Sequence, residues 1–435
     1  MKRQVLATLS TAALLATAAG CSSGSPSPSP TNVDTKNMTG TVTVWLMDDA
    51  QKGWPELVQQ VNDEFAEKYP KVQIKLSYHD WGKKTAELDA AIADGRAPDV
   101  VELGNTETLK YIVKGDLLKQ EANTFDNSDN WIKGLVDTCT YESTLYCVPY
   151  YAGARVGIYN SKMFQEATGS ADFPQTEEAL TGALDKMASK YGRNSAGYSS
   201  LYLPGPYWYA AMSYVTAYGG SIARYDSGGV WHGSLHDAKS QQGLQHFVEL
   251  VRTYNKSGDL KVNEQDQAKV LGHEKAGLIY ANGWEQNVAT APITGTPALK
   301  DVLKLAAMPG PNGKPLPSFI GGSDLAVTAK SQNAQAATDW VRMFTSTKSE
   351  QLLADKDTLP NNLVQLAPLK SKPNTAAAAN AVENAWFTPL APGWGAIEKQ
   401  GILPNMLNAI FSGKSVEEAT KEADAEMDQL INNQG

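Results

Sequence analysis

Val42-Thr-Val-Trp-Leu-Met47 is followed by Pro55-Glu-Leu-Val-Gln-Gln-Val-Asn-Asp-Glu-Phe-Ala-Glu-Lys-Tyr-Pro70, then by Val72-Gln-Ile-Lys-Leu76 and Pro98-Asp-Val-Val-Glu-Leu103. Val42, Val44 and Leu46 alternate with other residues, the period of a half-buried strand. Pro55 suits the first turn of a helix. Leu57, Val61, Phe65 and Tyr69 then recur every four residues along one face, and Pro70 stops the run. Val72, Ile74 and Leu76 alternate again. Thr85 to Asp94 reads as a second helix, with Leu88, Ala91 and Ile92 inward and Gly95 at its C-terminal cap. Strands alternating with helices of this length predict an α/β fold with a mostly parallel sheet and helices on both faces. Ligands in such sheets bind beyond the carboxyl ends of the strands. That rule singles out Asp48 and Asp49, the segment from Tyr78 to Trp81, and Glu102 to Thr106 with Asn105 between them.

Toward the N-terminus, Lys2 and Arg3 precede an apolar stretch from Val5 to Ala19. It is shorter than the roughly 20 residues that span a bilayer and has the flanks of a secretory signal. Residues 1–20 are therefore expected to be a signal peptide. Ala18-Ala19-Gly20-Cys21 resembles a bacterial lipobox, which would make Cys21 a lipidated N-terminus. An ordinary signal peptide beside an unrelated cysteine is the alternative. Residues 21–38 form the expected tether. They include Ser25-Pro-Ser-Pro-Ser-Pro30, and alternating proline favours an extended conformation of roughly 3.1 Å per residue. The expected location is the extracellular face of the cell membrane, with lipid as the only membrane contact.

The rest of the chain exceeds one typical core, which favours two domains. A net charge of −9 and the absence of a basic block argue against nucleic acid as a partner. Cys139 and Cys147 remain, eight residues apart around Glu142-Ser143-Thr144-Leu145, a plausible tight hairpin. In an oxidising compartment a disulfide is the expectation, with two reduced buried thiols as the alternative. The histidines lie apart at 79, 232, 236, 246 and 273, so neither a metal site nor a cofactor is expected. Further helical patterns cover Lys239 to Tyr254, Ala334 to Ala354 and Ser415 to Ile431. In the last, Ser415 and Glu418 form a capping box.

Trp and Tyr together number 28 against 9 Phe. Such rings have an apolar face and a polar handle, which suits wet, half-buried surfaces. Trp81, Tyr151, Tyr207, Trp208, Trp284 and Trp394 fall at strand ends or Gly/Pro-rich turns, near polar groups such as Arg155, Tyr209, Glu285 and Glu398. A pyranose offers C–H faces to aromatic rings and a rim of hydroxyls that carboxylates, amides and guanidinium groups can match. Each unmatched buried polar group would cost about 1–3 kcal/mol.

Five motifs in order resemble the extracellular sugar-binding proteins of ATP-driven importers, the group that includes the maltose-binding protein. They are Val42-Thr-Val-Trp-Leu-Met-Asp48, Gly95-Arg-Ala-Pro-Asp-Val-Val101, Val148-Pro-Tyr-Tyr151 with Ile158-Tyr-Asn160, Ala281-Asn-Gly-Trp-Glu285 and Gly321-Gly-Ser-Asp-Leu-Ala-Val327. The resemblance implies a two-lobe periplasmic-binding-protein-like fold of type II. One lobe would be 39–150 with 323–373, the other 151–322 with 374–435. Hinges would lie near Tyr151, Gly321-Gly322 and Pro373. It implies a binding role for Asp49 (or Asp48), for Glu102, Asn105 and Thr106, and for Ser323 and Asp324. Tyr207, Trp284 and Trp394 would stack on sugar. Where the maltose type carries a sugar-binding Glu, this chain has Gly153, with Arg155 nearby. The runs Tyr202-Leu-Pro-Gly205 and Ala391-Pro-Gly-Trp-Gly395 are similar to actinobacterial proteins for chitobiose and related N-acetylglucosamine sugars. Cellobiose and xylobiose stay open. The implied partners are a small carbohydrate and the permease subunits of an ABC importer, served by a monomer.

Two other classes compete. A secreted glycosidase would need two carboxylates about 5–10 Å apart, and no motif of that kind stands out. A polyamine site could draw on Asp48, Asp49, Glu102 and Glu285, but Arg155 would oppose a cation.

Overall fold

The computed structural model describes residues 34–193, 195–257, 260–261 and 267–433. The signal peptide, Cys21 and most of the tether lie outside the described residues. Strand β1 (Gly40–Met47) runs parallel to both β2 (Val72–His79) and β3 (Val100–Gly104), with Val42 opposite Ile74 and Val44 opposite Val100. The helix Pro55–Lys68 links β1 to β2 and buries Leu57, Val58, Val61 and Phe65. The helix Trp81–Ala93 links β2 to β3 and starts four residues before Thr85. The Asp80 carboxylate explains the earlier start, because it accepts the Gly82 N–H at 2.9 Å and caps the first turn.

Strands β4 (Thr140–Tyr141) and β5 (Thr144–Leu145) form the expected hairpin. Its two-residue turn holds Glu142 at φ 47° and Ser143 at φ 62°. Cys139 and Cys147 are joined across its base as a disulfide, with Cα atoms 4.9 Å apart.

Strand β6 (Val148–Asn160) is buried along its whole length. A small hairpin, β7 (Ala223–Tyr225) with β8 (Trp231–Gly233), lies apart from it. Strands β9 (Leu278–Asn282) and β10 (Leu303–Ala306) pair antiparallel with the far half of β6. Strand β11 (Ser318–Val327) pairs with the near half, Gly321 facing Gly153, and then with β3, Leu325 facing Glu102. The short strands β12 (Leu359–Pro360) and β13 (Ala385–Trp386) add to β6 and β11. The result is one nine-stranded curled sheet in the order β10-β6-β11-β3-β1-β2, with β9, β12 and β13 attached.

Two large apolar cores sit at its two ends. One gathers β1, β3 and their helices with Leu325, Trp340 and Leu353. The other gathers residues from Tyr159 to Phe319 together with Trp386 to Ile431. A smaller cluster of Ala152, Ala154, Ile320, Leu359 and Ala378 lies where β6 and β11 pass between them. The helix Trp208–Ala217 carries no strong periodicity in the sequence because six of its ten residues are buried and none is fully exposed. The stretch from Ala334 to Ala354 is two helices, Ala334–Phe344 and Thr347–Asp355. Ser346 divides them, its hydroxyl accepting the Ser349 N–H at 3.3 Å. The capping box holds: Ser415 Oγ accepts the Glu418 N–H at 3.1 Å at the head of Val416–Asp428. Among the described residues no helix is long and apolar enough to cross a membrane.

Candidate binding cleft

The edge of β6 lacks a pairing strand at one point. β12 covers Tyr151 and Ala152, and β9 begins at Arg155, so Gly153 and Ala154 stand between them. The indole of Trp284 rests there. A Cβ on Gly153 would lie 2.5 Å from its ring, so the absence of a side chain at 153 makes room for it. Trp284 is nevertheless 47% exposed. Its ring, with Asp49, Tyr151 and Val288, belongs to the walls of two adjoining chambers of about 470 and 480 Å³.

The larger chamber is walled on one side by Asp49, Trp81, Asn105, Thr106 and Glu107, from the carboxyl ends of β1, β2 and β3. Asp49 accepts the Trp81 indole N–H at 2.6 Å, which holds the ring over the chamber. Asn105 donates to the Ile320 carbonyl at 3.1 Å. Buried Lys84 pairs with Glu107, which also accepts from Thr85 Oγ1 at 2.8 Å and from the Gly104 N–H at 3.0 Å. Burial raises the Glu107 carboxyl, but Lys84 and these donors outweigh it and hold it below its ordinary value. The opposite wall carries Arg155, Tyr209, Asn282, Glu285 and Phe319. The Arg155 guanidinium lies against the stacked pair of Tyr209, 4.0 Å from the ring centre, and Phe319 at 5.0 Å, while its Nε–H donates to Tyr207 at 2.8 Å. Glu285 accepts the Asn282 N–H at 3.1 Å. The second chamber adds Lys52, Trp54, Lys356 and Thr358.

Of the residues singled out in the sequence, Asp49, Trp81, Asn105, Thr106, Tyr151, Arg155, Tyr209, Trp284 and Glu285 converge on these chambers. The others do not. Asp48 is turned to Lys52 at 2.9 Å and forms no part of either wall. Glu102 is 1% exposed, and its two oxygens accept the Met47 N–H and the Ser323 hydroxyl, both at 2.7 Å. Glu102 and Ser323 therefore satisfy each other beneath the cleft. Asp324 is fully buried and accepts from Thr108 at 2.9 Å. Tyr207 lies behind Arg155 as a support. Trp208 and Trp394 line a smaller neighbouring pocket.

Asp324 also meets Cys139 and Cys147, the trio of metal-type side chains that comes together among the described residues. Both sulfurs are committed to the disulfide, so no thiolate is available there. Phe319, Asn282 and Glu107 were not foreseen as wall residues, nor was the buried Lys84 that pairs with Glu107. Phe319 stands two residues before the Gly321-Gly322 run, and Lys84 reads in the sequence as an ordinary surface cation.

The profile described as bacterial extracellular solute-binding protein matches residues 60–380. The diacetylchitobiose binding protein DasA of Streptomyces coelicolor is 27% identical over 435 residues, covering 99% of each chain. The GacH receptor of Streptomyces glaucescens, solved unliganded and with acarbose, superposes with a TM-score of 0.75 at 20% identity, over 92% of this chain and 100% of that one. A solute-binding protein of Thermotoga lettingae bound with α-D-tagatose gives 0.76 at 20% identity, over 90% and 100%. The sheet order and the two cores are those of a type II binding-protein fold, and the chain belongs to the bacterial extracellular solute-binding protein family.

Proposed function

We propose that this chain captures a di- or oligosaccharide of the chitobiose or N-acetylglucosamine type between its two lobes and delivers it to the permease of an ABC importer. The observation that carries the reading is the half-exposed Trp284 ring shared by two adjoining chambers, with Asp49, Asn105, Arg155 and Glu285 around it. An aromatic face ringed by acids, an amide and a guanidinium matches a pyranose on both its apolar and its hydroxyl sides. The full-length likeness to a diacetylchitobiose binding protein supports the same choice of sugar. A polyamine would meet Arg155 inside the larger chamber.

In this reading the lobes are 39–150 with 323–373 and 151–322 with 374–435, turning about Tyr151, Gly321-Gly322 and Pro373. Sugar enters the open cleft, the lobes shut on it, and the shut form docks on the permease. The chain binds without turning its ligand over, acts as a monomer, and is held at the extracellular face by lipid on Cys21. Calorimetry on the chain from Asn37 onward tests the proposal, with chitobiose, cellobiose, xylobiose, maltose and spermidine as ligands. Saturable binding of a saccharide near micromolar, about −8 kcal/mol, is expected. Binding of spermidine with every saccharide silent would overturn it.

A further inference from the structure

A pocket of about 210 Å³ adjoins the larger chamber, and Tyr209 is common to both walls. Trp208 and Trp394 complete its aromatic sides, while Ile397, Leu403 and Pro404 give it an apolar floor. Trp394 is 1% exposed, and its indole N–H is buried with no hydrogen-bond partner among the described residues. A buried donor in that state costs free energy that a ligand acceptor would recover. Glu398 follows one turn later on the helix Trp394–Gln400 and supplies the pocket's carboxyl. That carboxyl lies close enough to feel the Trp394 N–H, with no hydrogen bond made between them. Burial, with Glu107 acting the same way, pushes Glu398 up to about 8, and Thr106 and Trp394 pull it back only in part. At neutral pH the group is therefore mostly protonated, uncharged, and able both to donate and to accept.

A lone hydroxyl would leave the apolar floor unfilled. A secondary acetamide fits each surface: a carbonyl for the indole N–H, an N–H for the carboxyl, and a methyl for the floor. Resting on the sugar-capture reading above, we propose that this pocket receives the acetamido group of a 2-acetamido sugar whose ring lies in the main cleft. In that arrangement Trp394 donates to the amide carbonyl and Glu398 accepts the amide N–H. Leu403 and Pro404 pack the methyl. The pocket thereby sets the preference for acetylated over plain sugars.

The test compares N,N′-diacetylchitobiose, the acetylated form meant by chitobiose here, with cellobiose, the same skeleton carrying hydroxyls in place of acetamido groups, by calorimetry on the mature chain. Wild type should bind chitobiose at least tenfold more tightly. Trp394→Phe keeps a ring and removes the N–H. It should weaken chitobiose about tenfold and leave cellobiose within twofold. Glu398→Leu should act in the same direction, whereas Glu398→Gln, which keeps an acceptor, should not. Among the ten Trp indole signals of a ¹⁵N spectrum, the one missing in Trp394→Phe should shift with chitobiose and stay still with cellobiose. Equal affinity for the two sugars, equal losses for both in the variants, or an unmoved Trp394 signal would overturn the pocket while leaving sugar capture intact. Silence toward every saccharide would remove both proposals together.

Discussion

At the scale of single residues, Trp284 and Gly153 act as a unit. The ring occupies the space that a side chain at 153 would need. Trp284→Ala should weaken the saccharide by about tenfold or more, roughly 1.4 kcal/mol per decade, with the melting temperature almost unchanged because the ring is half exposed. Gly153→Leu should weaken it similarly by pushing the ring aside, and intact tryptophan fluorescence with undiminished binding would contradict that. Glu102 does different work. Burial raises its carboxyl to about 7 from an ordinary 4.5, against the pull of Ser323 and the Met47 N–H. The folded chain thus keeps a proton that the unfolded chain releases between those two values. Stability from this group is complete below 4.5 and is lost as the pH rises through 7. Glu102→Gln can still accept from Met47 and donate to Ser323. Melting temperatures measured from pH 4.5 to 7 should fall less steeply in that variant than in wild type. The role of Glu102 was not legible in the sequence because the residues around it on β3 are all buried. Alternation cannot tell which face meets the cleft when both faces are covered. Trp284 was legible because a Gly-Trp-Glu run directly after a strand leaves little but a turn for it to sit on. Trp394 and Tyr207 carry the same aromatic signal, and only packing reveals that Tyr207 stands behind Arg155 and that Trp394 lines the smaller pocket.

At the scale of elements, the hairpin of β4 and β5 turns through two non-glycine residues with positive φ, the geometry of a type I′ turn. Glu142→Asn with Ser143→Gly should raise the melting temperature, since a left-handed conformation costs an ordinary residue about 1–2 kcal/mol. Replacing both Cys139 and Cys147 by Ser should lower stability by about 2–3 kcal/mol, the entropic value for so short a loop. Denaturant unfolding under non-reducing conditions checks both. The parallel β1–β3 unit and the C-terminal helix could be read because each sequence period matches a one-sided burial. The break at Ser346 could not, since both helices share one apolar register and only the cap separates them. Across the cleft, the helix Trp394–Gln400 packs closely on Thr108–Val113: a Cβ on Gly395 would lie 2.9 Å from Lys110 Cβ. Gly395→Leu should hold the lobes apart and weaken every saccharide alike, unlike the selective loss expected at Trp394.

At the scale of the whole molecule, β6 and β11 run side by side from one core to the other, so bending has to occur where they cross. Gly322 sits at φ 151°, and a Cβ there would lie 2.2 Å from the Tyr151 carbonyl oxygen. Gly322→Val should therefore disturb the crossing itself and lower both stability and affinity. If the lobes close on sugar, small-angle scattering should show a smaller radius of gyration with ligand in wild type and a reduced change in Gly395→Leu.

The same shared sheet has a consequence for how the chain is made. The core around β1 and β3 needs Leu325, Trp340 and Leu353, and the other core needs Trp394, Leu407 and Met427. A nascent chain that has reached residue 310 owns most of both cores and can finish neither. Neither core can close before Leu325 to Ile431 have been made, which leaves the earlier chain open to proteases if synthesis stops short of them.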